Sequence, residues 1–410
     1  MAAFFPDTDS EDELPSGFEE RVDPEGRVFF LNHVNQTTQW SHPKSGKTKR
    51  VPEKLPHGWE KIVDQDGRIT FVDKINNKTT LTDPRLVYAY DIDESEEPKM
   101  AQRFSSSTTP SMILAGKDLT GKIAIVTGGN CGIGYETVKA LAFHGAKVYV
   151  ACRDLDRANS AMDILRQEKP SAQIIVMKCD LSSLNSVEEF ANEFIQEKEK
   201  LHFLICNAGI FGAPHTMTED GFEQTFQINY LAHIYLIQLL QDTLIASAPS
   251  KIILVSSENH RFSLLNSSNI SEEYLSPKSA NRFVPIMAYN DSKLCMNLIN
   301  RYLAQMYQNY NVTVHCLHPG NAIYTSLQRN WWFYRLGFFL IRPFTKSVEQ
   351  GAATTIYCAA SKELENRSGA YYNNCVECKP SSSVEDEQLI NSLWKITQNM
   401  LSSRLKKRIS

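Results

Sequence analysis

Tyr289 and Lys293 stand four residues apart in a chain of 410, so on a helix both side chains leave one face a turn apart. A free phenol titrates near ~10, too high for base work at neutral pH. A neighbouring ammonium lowers that value, and the pair then reads as an acid/base acting on the proton of a substrate oxygen. Taken alone, a Tyr-x-x-x-Lys helix is more often a surface pair. Two upstream features reverse that reading. One is the apolar run KIILVSS, ending in Ser256 and Ser257; the other is a glycine-rich turn, Thr127-Gly128-Gly129-Asn130-Cys131-Gly132-Ile133-Gly134.

That turn joins a strand-like run, KIAIV, to a helical pattern, YETVKALAFHG. Glycine lets the backbone turn tightly, approach a diphosphate and pack helix on strand. The helix start then offers N–H groups to the anion. A glycine turn kept for packing alone is the plainer alternative, and the strand–turn–helix context favours the phosphate. The next run ends Val150-Ala151-Cys152-Arg153-Asp154. An acid at that tip would hold the 2′-hydroxyl of NAD. Here Arg153 comes first, and a guanidinium fits a 2′-phosphate in charge and in fork geometry. NADP(H) is therefore preferred over NAD(H), with a merely solvated Arg153 as the rival reading.

Six short apolar runs must position these groups: KIAIVTGG, AKVYVACR, QIIVMKCD, HFLICNAG, KIILVSSE and VTVHCLHP. Helix-length amphipathic stretches separate them. Runs buried on both faces and alternating with helices mean an α/β, Rossmann-type, doubly wound parallel sheet, placed here over residues 119–380. Residues 381–410 follow as a C-terminal helix and basic tail, with Arg404, Lys406, Lys407 and Arg408.

The glycine turn and its companions resemble the short-chain dehydrogenase/reductase family over about residues 119–380. Asp180-Leu181, Asn207-Ala208-Gly209, Asn229 in FQINYL, Ser257, Tyr289/Lys293 and His318-Pro319-Gly320 stand in the family's order. The resemblance implies an NAD(P)-dependent enzyme acting on CH–OH groups. Its catalytic residues would be Asn229, Ser257, Tyr289 and Lys293. Its cofactor residues would be Thr127, Gly128, Gly132, Ile133, Gly134, Arg153, Asp180 (at the adenine), Asn207, Ala208, Gly209, Pro319 and Gly320, with Tyr289 and Lys293. In this scheme Ser257 holds the substrate oxygen and Lys293 also holds the nicotinamide ribose. Asn229 anchors a water that relays the proton through Lys293. Ser256 is the alternative serine, and spacing to the tyrosine favours Ser257. One landmark departs: Tyr324 stands where the family places the Thr or Ser that meets the carboxamide, with Thr325 one further on. The apolar stretch 331–344, WWFYRLGFFLIRPF, could line a pocket for a large lipophilic alcohol or carbonyl, rest on a membrane, or cover the core. With ACRD and SSENHRF it resembles the retinol-dehydrogenase branch, which implies a steroid- or retinoid-like substrate.

Upstream the chain repeats. LPSGFEERVDPEGRVFFLNHVNQTTQWSHP and LPHGWEKIVDQDGRITFVDKINNKTTLTDP both open Leu-Pro-x-Gly-aromatic and close on proline. Turn signals separate short runs rich in Val, Ile, Phe and Thr, so each unit is predicted to be a small all-β sheet of three strands. Both resemble WW domains, placed at 15–46 and 55–87. Residues 1–14 read as a disordered acidic tail, 47–54 as a basic linker and 88–118 as a second linker. In the first unit Phe29 and Trp40 match the family's groove for proline-rich peptide, and Leu31, His33 and Gln36 match its pocket for the tyrosine of Pro-Pro-x-Tyr ligands. A polyproline II ligand is already stiff and lays its rings between aromatic plates. Phe18, Phe30 and Pro43 would form the structural buckle, with Phe18 in place of the usual Trp. The second unit keeps the buckle (Trp59, Phe71, Pro84) and loses the groove (Thr70, Leu81, Lys74). Weak or no peptide binding is expected of it, with stabilisation of the first unit as its role.

Charge and composition set limits. The net charge of −4 argues against a generally basic nucleic-acid binder. Most of the nine cysteines sit in apolar runs, all read as reduced thiols, and Cys375-Val376-Glu377-Cys378 has no second pair to make a metal site. The acidic N-terminus is the wrong charge for a signal peptide, and no run reaches the ~18 apolar residues of a membrane span. A cytoplasmic protein is expected, with nuclear and mitochondrial pools also open. Family habit implies a homodimer. The union of the two families in one chain resembles signalling oxidoreductases of growth control and apoptosis. The rival class is an adaptor that keeps the dehydrogenase fold as a scaffold or nucleotide sensor.

Overall fold

Period-two runs bounded by turns fold locally into hairpins, and those hairpins open the chain. The structure is a computed structural model that describes residues 14–23, 26–52, 55–56, 58–63, 69–74, 77–92, 104, 107–281, 283–320 and 347–409. It divides into two units, Met1–Arg103 and Phe104–Ser410.

In the first unit, β1 (Phe18–Val22), β2 (Val28–Asn32) and β3 (Thr37–Gln39) form an antiparallel sheet in the order β1-β2-β3. Phe18 lies opposite Asn32, and Phe30 opposite Gln39. Alternation sends Phe29 and Leu31 to one face of β2 and Phe30 to the other. Phe30 is fully buried, its ring edge-on to the buried His42 at 5.2 Å. After β4 (Thr48–Arg50), the strands β5 (Trp59–Val63), β6 (Ile69–Asp73) and β7 (Lys78–Thr80) repeat the three-stranded pattern. Then β8 (Tyr90–Ile92) returns to pair antiparallel with β4.

The Phe30 core takes in more than the expected buckle. Val28, Phe30 and Val51 form its centre, and Leu14, Phe18, Val22, Leu86 and Ala89 pack against them. Val51 and β4 lie in the stretch read as a basic linker, Leu86 lies at the end of the second unit, and Ala89 lies in the stretch read as a second linker. They supply apolar area that Phe18, smaller than Trp, leaves unmade.

The second unit is built on an eight-stranded sheet ordered β11-β10-β9-β12-β13-β14-β15-β16. Its strands are β9 (Ile123–Thr127), β10 (Lys147–Cys152), β11 (Ile174–Lys178), β12 (Phe203–Cys206), β13 (Ser250–Val255), β14 (Val312–His318), β15 (Tyr371–Asn373) and β16 (Val376–Cys378). All neighbours are parallel except β15 and β16. The first six are the apolar runs of the sequence. Strand order reverses between β9 and β12, which opens a crevice at their carboxyl ends, where such sheets bind ligands.

Helices cover both faces. Among the described residues they are, in chain order, α1 (Pro110–Leu114), α2 (Gly132–Phe143), α3 (Leu155–Glu168), α4 (Leu184–Gln196), α5 (Gln224–Phe226), α6 (Ala232–Leu239), α7 (Gln241–Ala246), α8 (Glu272–Leu275), α9 (Pro285–Tyr307), α10 (Val348–Ala360) and α11 (Glu387–Ile409). A single π turn, Gln227–Leu231, joins α5 to α6. Pro285 starts α9, where its missing N–H costs nothing. Ser347 and Gln350 close a reciprocal capping box on α10.

The packed unit begins before residue 119: Ile113 and Leu114 of α1 are buried in the core on the α2 side, within the stretch read as a linker. The C-terminal helix is docked as well. Leu389, Leu393, Thr397, Met400 and Leu401 are buried along one face of α11. Trp394 stacks on Tyr302 at 4.5 Å, and Thr397 bonds the Tyr230 hydroxyl. Arg404 Nε lies 2.6 Å from Asp220 Oδ1, and the Asp220 side chain is wholly buried. No described helix is long and apolar enough to cross a membrane. The stretch 331–344, Tyr324 and Thr325 lie outside the described residues.

Candidate active site

The crevice is lined first by the glycine turn between β9 and α2. Gly128 and Gly132 adopt φ of +65° and +59°, conformations L side chains rarely take. Gly134 is required for space. A Cβ there would lie 2.3 Å from the Gly128 carbonyl oxygen and 2.6 Å from Asn207 Nδ2. The first turn of α2 carries no acid, and the Cys131 side chain does not cap it. Backbone N–H groups at a helix start with no carboxylate among them suit an anionic diphosphate, so the cradle fits a dinucleotide.

Thr127 serves a different purpose from the one expected. Its hydroxyl accepts from the amides of Asn207 and Ala208, each at 2.9 Å, and pairs with His233 Nε2 at 2.9 Å. Burial holds His233 down to about 3, so its imidazole is neutral. Thr127 is 1% exposed and ties the ends of β9 and β12 together; its hydroxyl has no capacity left for a cofactor. Asn207 Nδ2 donates to the Thr127 carbonyl at 2.9 Å, which fixes the Asn207-Ala208-Gly209 bend. Pro319 and Gly320 follow β14, and Gly320 has φ +121°.

Arg153 is exposed at the tip of β10. Asp154 caps α3, accepting from the Arg157 amide at 3.0 Å, so its carboxylate is engaged away from a ribose. Asp180 Oδ1 accepts from Ser182 N and Oγ, which shapes the turn after β11.

The second half of the site stands on β13 and α9. Ser256 and Ser257 point apart. Ser256 Oγ donates to the Lys293 carbonyl and accepts from Asn297 Nδ2, each at 2.8 Å, and so fastens α9 to the sheet. Ser257, 9% exposed, is near enough to the Tyr289 phenol to pull its pKa down, and it opens the short 3-10 turn Glu258–Phe262, where its Oγ accepts from the Asn259 amide. Lys293 Nζ donates to the Val255 carbonyl at 2.8 Å and lies 5.6 Å from the Tyr289 ring centre. Gly209 runs close to Asn229: a Cβ there would lie 3.2 Å from its Oδ1.

One expectation changes. The ammonium was expected to bring the phenol down. Burial dominates instead and pushes Tyr289 up to about 12, with Ser257 the opposing pull. Burial also pushes Lys293 down to about 8. Asn229 was expected to anchor a relay water. Its Oδ1 accepts from Ile210 N at 2.8 Å, and its Nδ2 donates to Ile210 O and to Ser292 Oγ, each at 3.0 Å. The amide locks the loop after β12 to the π turn and α9, and its Oδ1 keeps a second lone pair. π turns recur where a fold bends to serve a site. Phe211, Asn259 and Ser292 join the site without having been singled out from the sequence. Phe211 meets the Tyr289 ring edge-on at 4.8 Å. Ser292 precedes Lys293 inside the Tyr-x-x-x-Lys motif, a signal that was available; Phe211 and Asn259 carried none.

In the first unit Phe29 and Trp40 meet at 5.7 Å, and Trp40 is half exposed. The Arg27 guanidinium lies 4.7 Å over the Trp40 ring. His33 Nε2 lies 2.8 Å from Glu19 Oε2. Leu31 shares the Phe29 face by alternation, and Gln36, with φ +57°, is exposed in the turn before β3. In the second repeat Leu81 is exposed where the groove aromatic would stand. All nine cysteines are free thiols, and no cluster of metal-binding side chains occurs among the described residues.

Comparison with known proteins agrees with both units. The short chain dehydrogenase family model matches residues 122–269, and the WW domain model matches residues 14–43. The chain is 51% identical over 401 residues to the human WW domain-containing oxidoreductase, covering 97% of this chain and 96% of that one. It is 44% identical over 403 residues to the Drosophila melanogaster protein of the same name, covering 97% of each. Mouse retinol dehydrogenase 12 is 36% identical over 283 residues, covering 69% of this chain and 87% of its own. Among solved structures, a Mycobacterium paratuberculosis protein superposes with a TM-score of 0.55 at 23% identity, covering 72% of this chain and 97% of that one. The RhlG/NADP complex of Pseudomonas aeruginosa superposes with a TM-score of 0.50 at 22% identity, covering 62% and 94%.

Proposed function

The chain belongs to the WW domain-containing oxidoreductases and carries an NAD(P)-dependent short-chain dehydrogenase domain, and from that premise we propose that it interconverts lipophilic alcohols and carbonyls with NADP(H) while its first WW unit recruits Pro-Pro-x-Tyr proteins. The observation that carries the catalytic part is the convergence of Tyr289, Ser257 and Lys293 at the carboxyl end of the sheet, beside the glycine cradle. When bound, the nicotinamide supplies or accepts the hydride at the substrate carbon. Ser257 holds the substrate oxygen, and Tyr289 moves the proton at that oxygen. A phenol kept neutral by burial can donate its proton to a carbonyl oxygen at neutral pH. Lys293 moderates the negative charge left on the phenolate. Asn229 and Ser256 keep the loop and the helix in register around them.

NADP preference is supported by the exposed Arg153 and by the engagement of Asp154 as a helix cap. A steroid- or retinoid-like substrate is supported by the likeness to a protein named retinol dehydrogenase. A screen of lipophilic carbonyls followed by NADPH absorbance tests the reading. Arg153→Ala is expected to raise the KM for NADPH about tenfold or more and to leave NADH unchanged, since a charge-assisted pair contributes about 1.5–3 kcal/mol. Equal loss for both cofactors would move Arg153 to a general surface role.

Peptide binding is supported by the Phe29–Trp40 pair with Leu31, His33 and Gln36 beside it. Trp40→Ala should weaken a Pro-Pro-x-Tyr peptide by about 30-fold in a fluorescence titration, the scale of a central aromatic anchor. Unchanged affinity would place the groove elsewhere.

A further inference from the structure

The loop Gly209-Ile210-Phe211 leaves β12 in the middle of the sheet, yet both backbone groups of Ile210 are bonded to the Asn229 side chain. That double bond fixes the next residue. Phe211 stands with its ring at 85° to the Tyr289 ring, centres 4.8 Å apart, in the edge-on arrangement aromatic pairs prefer. Tyr289 itself is 7% exposed although it borders the crevice where substrate must enter. The same loop is pinned further along, where His215 Nε2 meets the Pro277 carbonyl at 2.8 Å and its ring packs on Phe283, just before α9.

We propose that Phe211 is a positioning residue: its ring, held by Asn229 through Ile210, fixes the plane of Tyr289 and keeps water from the phenol. The inference rests on Tyr289 being the acid/base, and it adds what sets the strength of that acid. The titratable groups around the phenol are few. Lys293 lies on the same helix; Cys316 from β14 acts on it, and it acts in turn on His233 from α6. Ser257 supplies the nearby hydroxyl. Against this sparse background the apolar cover has large leverage. Water admitted beside the oxygen would stabilise the phenolate, so uncovering it lowers the pKa.

The test reads ionisation without turnover. The full chain is prepared with 2,3,5-trifluorotyrosine at position 289, an analogue that ionises at lower pH, and its 19F resonance is titrated. Phe211→Ala should lower the titration midpoint by about one pH unit, a tenfold stronger acid. Phe211→Leu, which keeps apolar cover without the ring edge, should give a smaller shift in the same direction, and Phe211→Tyr should restore the parent value. NADPH fluorescence reports that each variant keeps its cofactor cradle. Should Phe211→Ala fail to fold, the Leu and Tyr variants carry the comparison. Identical midpoints in all variants would overturn the proposal. A protein that turns over no carbonyl at all would count against the catalytic reading, while this titration would still answer for Phe211.

Discussion

Tyr289→Phe is expected to cut turnover by about 10²–10⁴-fold, the range that a positioned general acid contributes. The change deletes one hydroxyl. The ring remains, still edge-on to Phe211, and α9 keeps its bonds through Ser256 and Asn297. Losing one polar group near Ser257 costs at most about 1 kcal/mol of stability, too little to unfold the domain. NADPH affinity, read by fluorescence, should stay within about twofold, because the cradle lies on β9 and α2. The result thus separates chemistry from folding. Full turnover in this variant would remove the phenol from the reaction. Full cellular function with turnover gone would instead make catalysis incidental and favour the scaffold reading.

Gly134→Ala should be severely damaging for a single added methyl. The new Cβ would meet the Gly128 carbonyl at 2.3 Å and Asn207 Nδ2 at 2.6 Å, and one of these is backbone that cannot swing aside. The cost is one of space alone, since Gly134 has no positive φ. Relief requires the turn to move off β12, which breaks the Asn207–Thr127 bond and misplaces the amides at the start of α2. Overpacking of this kind costs about 1–3 kcal/mol. A thermal melt should show the loss, and NADPH binding should fall by about 100-fold or more, as three or four oriented N–H groups are lost together. A variant that binds NADPH normally would show that the cradle is not the diphosphate site.

The parts of this architecture that rest on local pattern were legible beforehand. KIAIV, KIILV and VTVHCLH are apolar on both faces over strand lengths, and they became β9, β13 and β14. The glycine turn was legible because backbone conformation restricts residue type. Contacts between distant segments were not. Phe211 reaches Tyr289 across 78 residues, and no periodicity records that pairing. Lys293 was placed correctly beside Tyr289 by helical spacing, but spacing says nothing of burial, and burial reversed the direction of the phenol's shift. Thr127 was read as a cofactor contact because it opens the motif. Its partners, Asn207, Ala208 and His233, lie 80 to 106 residues away.

The return of Leu86 and Ala89 to the Phe30 core changes what counts as a module. The chain completes the first WW sheet, adds β4, builds a second sheet, and comes back at β8 to pair with β4, which brings Leu86 and Ala89 onto the first core. In assembly terms the second repeat is an insert carried in the loop of a host fold. A fragment cut at residue 46 and grafted elsewhere would take the peptide groove with it but leave Val51, Leu86 and Ala89 behind. A repeat with no groove aromatic can persist under that arrangement because its two ends deliver the pieces its neighbour lacks.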